Sequence, residues 1–113
     1  MSDQQGQPQE QASFVRTERS REEVVLAVDG PLFDEFADEF QRQLEALDAG
    51  GWPIVSLDLS HTKVMASNPI GKIVFFKKRL EEQHRTFRIR GCDRGLFEHF
   101  RFTRFDRIID IEP

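Results

Sequence analysis

Apolar and polar residues alternate along Ser13-Phe14-Val15-Arg16-Thr17-Glu18 and, more strongly, along Glu23-Val24-Val25-Leu26-Ala27-Val28-Asp29. A period of two predicts strands, and the short connection predicts that they pair as a hairpin, closed off by Gly30-Pro31. From Phe33 to Leu47 the period changes: Phe33, Phe36, Ala37, Phe40, Leu44 and Leu47 form a helical stripe that ends at Gly50-Gly51. Asp34, Glu35, Asp38 and Glu39 lie near its N-terminus, where the helix dipole favours anions. Pro53 to Ser60 then reads as a strand mostly buried on both faces. Ser67-Asn68-Pro69 predicts the start of a second helix, with Ser67 or Asn68 capping the free amides and Pro69 fitting the first turn. Its inward face is expected to carry Ile70, Ile73, Val74, Lys77 and Leu80, with Phe76 beside them. Thr86 to Arg90 predicts a strand with Phe87 and Ile89 inward, ended by Gly91. Asp93 is placed to cap a short third helix with Leu96, Phe97 and Phe100 inward, and Arg107 to Ile111 reads as the last strand. The order predicts an α/β domain: a mixed sheet whose later strands run parallel because helical crossovers join them.

At 113 residues the chain has room for one core. Residues 1–12 are Gln-rich with almost nothing to bury, and are expected to form a disordered tail ahead of a domain over 13–113. No apolar run reaches the 18 or more residues of a membrane span, and the start lacks the cationic and apolar segments of a signal peptide, so the cytoplasm is the expected compartment. A single cysteine, Cys92, agrees with a reducing environment. Eleven Phe and no Tyr describe a core of phenyl rings with no buried phenol to satisfy.

Candidate chemistry is sparse. His61, His84 and His99 lie in different elements and lack metal-site spacing, so no metal is expected and the histidines read as surface or packing residues. Cys92 lies just before a helix start, where a thiol pKa can fall; without a neighbouring histidine or second cysteine it reads rather as a small turn residue. No glycine-rich phosphate loop or nucleophile elbow is present, nor a close acid pair beyond the solvated acids of the first helix, and no catalytic residue or cofactor is predicted. Charge is uneven, about −8 over residues 1–56 and +4 over 57–113. The stretch from Arg85 to Phe105 interleaves cations and aromatics, a pattern of single-stranded nucleic-acid binding, but the Phe spacing matches core positions, so this partner class is disfavoured. Ser67 has two readings. It is either an ordinary cap or loop serine, or a modification site where a phosphate would meet free amides at the positive end of a helix.

In their order and spacing, Val25-Leu26-Ala27-Val28-Asp29-Gly30-Pro31-Leu32, Ile54 to Ser60, Ala66-Ser67-Asn68-Pro69-Ile70-Gly71 and Arg88-Ile89-Arg90-Gly91 resemble the STAS domain. That module is found in bacterial anti-sigma factor antagonists and sulfate-transporter tails, and the resemblance covers residues 13 to 112. It implies a non-enzymatic protein that docks a switch kinase or anti-sigma factor, other STAS proteins, or a membrane transport complex. Homo-oligomers, a constitutive scaffold without phosphoregulation and small-ligand sensing stay open. In the family the loop usually reads Asp-Ser-Ser-Gly-Leu-Gly and its first serine is phosphorylated by a partner kinase; the resemblance implies Ser67 as the matching phosphorylation site. Ala66 replaces the aspartate, Asn68 the second serine and Pro69 the first glycine, and Phe33 stands where many members carry an acid, with Asp34 next. The resemblance thus implies a partner surface of Asp34, Ala66, Ser67, Asn68, Ile70, Gly71 and Lys72.

Overall fold

In the computed structural model, which describes residues 12–113, the two alternating segments form the predicted hairpin: β1 (Ser13–Glu18) and β2 (Glu23–Asp29) pair antiparallel. The Gln-rich residues 1–11 lie outside the described residues. The next elements are α1 (Ala37–Gly50), β3 (Ile54–His61), α2 (Ser67–Glu82), β4 (Thr86–Cys92), α3 (Arg94–Phe102) and β5 (Asp110–Ile111). The strands line up in chain order as one five-stranded sheet, and β2 through β5 are mutually parallel. This is the mixed α/β sheet that the pattern predicts, because each parallel step needs a crossover and α1, α2 and α3 supply them.

The core lies on one face of the sheet. Val24 and Leu26 align with Val55 and Leu57, and these with Phe87 and Ile89; Val28 and Leu59 lie past a register shift between β2 and β3, and all eight are at most 4% exposed. Phe40, Leu44 and Leu47 of α1, Ile73, Phe76 and Leu80 of α2, and Leu96 and Phe100 of α3 complete the same cluster. The opposite face uses charge rather than helices. Glu23 and Ser56 are buried there, with the Ser56 hydroxyl donating to Glu23 Oε2 at 2.7 Å and Arg88 and Arg90 reaching the same oxygen at 3.1 and 3.4 Å. The Ser56 hydrogen bond, with Arg88 and the charge of Arg90, outweighs burial and holds the Glu23 carboxyl below its ordinary range.

Several boundaries differ from expectation. The first turn after Gly30 is a 3₁₀ turn over Asp34–Phe36, so the α-helix begins at Ala37, and Phe33 is exposed before it rather than part of the buried stripe. Gly91 does not end β4, which runs on to Cys92; a Cβ on Gly91 would come within 2.8 Å of Ser60 Oγ, so glycine permits the close approach of β3. The predicted last strand shrinks to Asp110–Ile111, because Phe105–Arg107 coil into a 3₁₀ turn that buries Phe105 and leads into buried Ile109. Lys77 is not part of the apolar face of α2. Its ammonium reaches Glu81 at 2.7 Å, while Pro69 joins Ile73, Phe76 and Leu80 among the buried residues. Phe97 is only partly buried, and Phe75 and Phe102 point to solvent.

Candidate functional site

The residues expected to meet a partner lie at the C-terminal end of the parallel strands, where the turn after β2 meets the connection between β3 and α2. Two buried side chains anchor it, Leu32 and Met65. Between them runs a short parallel bridge: the Leu32 amide donates to the Val64 carbonyl at 2.9 Å, and the Ala66 amide to the Leu32 carbonyl at 2.8 Å. Buried Thr62 adds a third stitch, its hydroxyl donating to the Val28 carbonyl at 3.0 Å. Stretches some thirty residues apart therefore hold one another, leaving Phe33, Val64, Ser67 and Asn68 exposed.

The start of α2 corrects the predicted cap. Its N-cap is Ala66, which has no side chain able to accept a hydrogen bond, and neither Ser67 nor Asn68 caps the helix. Instead Asp34 reaches across from the other loop, and the Asn68 amide donates to Asp34 Oδ1 at 3.2 Å. The Ala66 amide is bonded to Leu32, and Pro69 has no N–H to offer. Ser67 itself thus holds the only first-turn N–H left without a protein partner among the described residues. The expectation that a phosphate on Ser67 would meet several free amides is corrected accordingly: it would meet one amide and a neighbouring carboxylate.

The other residues of the predicted surface divide. Ser67, Asn68 and Gly71 are exposed, Lys72 and Ala66 are half-buried, and Ile70 packs against the core. A Cβ built on Gly71 would have no atom within 4 Å, so packing does not demand glycine there. Glycine inside a helix costs roughly 0.5–1 kcal/mol relative to alanine. It leaves bare backbone on the floor of a shallow groove of about 310 Å³ lined by Gln41, Asn68, Gly71, Lys72 and Phe75. Gln41 and Phe75 were not predicted. A signal for Phe75 exists: of adjacent Phe75 and Phe76 only one can face the core, and Phe76 lies on the stripe of Ile73 and Leu80.

The remaining candidates are brought into no reactive cluster. Among the described residues no group of three His, Cys, Asp or Glu could hold a metal ion. Burial and the charge of Asp93 push the Cys92 thiol up to about 11, so the packing reading holds and the activated-thiol one does not. The basic and aromatic run is taken apart by the fold. Arg85 donates to Asp48 at 2.7 Å and to the Trp52 carbonyl at 2.9 Å, Arg88 and Arg90 serve Glu23, and Phe87, Phe100 and Phe105 are buried. No helix among the described residues is long and apolar enough to cross a membrane.

One sheet with its helical layer on a single face, and an exposed helix start sewn to the opposing turn, defines a single-domain α/β fold. The family comparison agrees: the model described as "Mlab, STAS domain" matches residues 15–110, and the chain belongs to the STAS domain family. Solved structures share the fold. An anti-sigma factor antagonist from Mycobacterium paratuberculosis superposes with a TM-score of 0.79 at 16% identity, covering 92% of this chain and 87% of that one. The anti-sigma factor antagonist SpoIIAA in its unphosphorylated form gives 0.72 at 16% identity, covering 89% of each chain. The phosphorylated form of SpoIIAA, a Bacillus cell fate determinant, gives 0.67 at 16% identity, covering 89% of this chain and 92% of that one. No curated protein matches the sequence.

Proposed function

We propose that this STAS domain is a non-enzymatic cytoplasmic docking protein whose partner, an anti-sigma factor or switch kinase or another STAS-containing assembly, grips the start of α2 together with the Asp34 turn. Asp34, Ala66, Ser67, Asn68, Ile70, Gly71 and Lys72 make up this surface, and phosphorylation of Ser67 is the control on it. The observation that carries the reading is the exposed Ser67 on a helix start braced from a second loop by Asp34. A phosphate there would carry close to two negative charges and crowd the Asp34 carboxylate, which releases the brace and adds a desolvation cost to any docked partner. The names of two fold neighbours, antagonists of anti-sigma factors, support this partner class.

One observation favours a second reading, a constitutive scaffold. Pro69 and Asp34 have already used up most of the helix amides that would stabilise a phosphate. Site mapping by mass spectrometry after co-expression with the organism's candidate kinases, paired with partner affinity for Ser67→Asp, separates the two. Phosphate on Ser67 and weakened binding by Ser67→Asp support the switch. An unmodified Ser67 with unchanged Ser67→Asp binding leaves the scaffold, in which only substitutions at Asn68, Ile70 or Lys72 alter affinity.

A further inference from the structure

The sheet ends on one side at β5, only two residues long, and on the other at β1, a full strand with an open edge. Such an edge is a row of unpaired backbone donors and acceptors, which proteins guard with proline, bulges, very short strands or charge. From Ser13 to Arg19 there is no proline, glycine or lysine, the pairing of β1 with β2 runs without a bulge, and Val15 is 59% exposed. The guard is charge alone, and Arg16 and Glu18 are of opposite sign.

The hairpin fixes which groups face outward. The Arg19 amide donates to the Glu23 carbonyl at 2.9 Å, so the odd-numbered residues of β1 exchange bonds with β2; the even-numbered Glu22 and Gly30 at the ends of β2 bond β3 instead. The N–H and C=O groups of Phe14, Arg16 and Glu18 therefore point off the edge. The side chains of Arg16 and Glu18 share the helix-layer face, opposite buried Leu26 and Val24. Neither makes an ion pair among the described residues, and the Arg16 guanidinium rests over the Trp52 ring at 5.7 Å.

We infer that β1 pairs antiparallel with β1 of a second copy about a twofold axis at Thr17. In that register Arg16 of each copy stands opposite Glu18 of the other, and these are the residues whose edge-facing backbone groups bond each other. On the open face Thr17 meets Thr17, and Val15 lies against the aliphatic stem of Arg19. An axis at Arg16 would set the two arginines face to face. The contact is isologous and closes as a dimer. Because the two sheets join with their parallel strands running in opposite directions, the two α2 starts lie at opposite ends and stay free. The dimer is thus bivalent, a meaning that rests on the proposed function; the pairing itself does not.

Sedimentation equilibrium of the full chain tests it. Wild type is expected to show a reversible monomer–dimer equilibrium with no larger species. Arg16→Glu and Glu18→Arg each put like charges opposite one another at both contacts and should dimerise at least about tenfold more weakly. Their equimolar mixture restores both pairs and should form a heterodimer at least as tight as the wild-type dimer, with the differences shrinking as salt rises. Both positions are exposed, so the fold is expected to survive, which circular dichroism checks. In wild type, amide exchange at Arg16 and Glu18 should slow as concentration rises, while Val15 and Thr17, already bonded to β2, stay unchanged. Wild type that stays monomeric into the millimolar range, single variants that associate as wild type does, a mixture no tighter than its parts, or protection that skips Arg16 and Glu18 would each overturn the inference. None of these results bears on partner binding by Ser67→Asp, so the two readings fail separately.

Discussion

Helices α2 and α3 both begin with an aspartate accepting from a first-turn amide, yet the two aspartates come from different places. Asp93 is the N-cap of its own helix, its carboxylate accepting from the Leu96 amide at 3.1 Å three residues on. Asp34 lies 34 residues before the Asn68 amide it caps. A local cap stabilises one helix. A remote cap also ties two loops together, so whatever disturbs the start of α2 is felt in the turn after β2. That coupling is what the proposed switch at Ser67 would use.

The contrast depends on a sheet that holds both helix starts in place, and the largest effect is expected where that sheet is loosened. Glu23→Ala strands Arg88 and Arg90 against buried Ser56 and should cost about 2–3 kcal/mol in a denaturant titration. Glu23 and Asp48 also set the acid limit. For Asp48, burial pushes upward, but Arg79 and Arg85 outweigh it, and the folded pKa of both acids lies below the ordinary value. Their stabilisation is therefore complete above the ordinary carboxylate range, near pH 4, and is lost as pH falls through the lower folded values. Glu23→Gln should flatten that acid slope.

The comparison itself is tested by removing each cap. Asp34→Ala and Asp93→Ala should each cost about 1 kcal/mol. Amide hydrogen exchange should then separate them: loss of Asp34 speeds exchange at both Leu32 and Asn68, and loss of Asp93 speeds it only at the start of α3. Equal, local responses would reduce Asp34 to an ordinary cap. Gly71→Ala should raise stability by roughly 0.5–1 kcal/mol, because its new methyl meets nothing. The same substitution should weaken partner binding, since bare backbone is what the groove offers. Smallest, Arg94→Asp should stabilise the start of α3 by about 0.5 kcal/mol through the helix dipole. Ser67→Asp should give no such gain, because Asp34 already fills that end of α2.

What the sequence reveals follows the same division between local and remote. The hairpin, the helices and the Asp93 cap depend on neighbours within a few positions, and periodicity and capping chemistry read them directly. The start of α2 at Ser67 is legible as well, because the proline-marked helix start is local. The Asp34 brace was missed as a contact, since no pattern links residues 34 and 68 before the fold brings them together. The same limit explains Arg85, Arg88 and Arg90. Spacing marks Arg88 and Arg90 as outward, and only tertiary structure reveals that Glu23 engages them and that Asp48 and Trp52 engage Arg85. The short last strand is a failure of another kind, in which Phe105 and Ile109 satisfy burial through a 3₁₀ turn as well as a strand would.

A photoreactive phenylalanine analogue at position 75, beside the groove, and another at position 15, on the outer face of β1, would test the docking surface most directly in living host cells. The account predicts one discrete heterologous adduct at position 75, absent at 15 and abolished by Ser67→Asp. A heterologous adduct at position 15 alone, or one at 75 indifferent to Ser67→Asp, would contradict it.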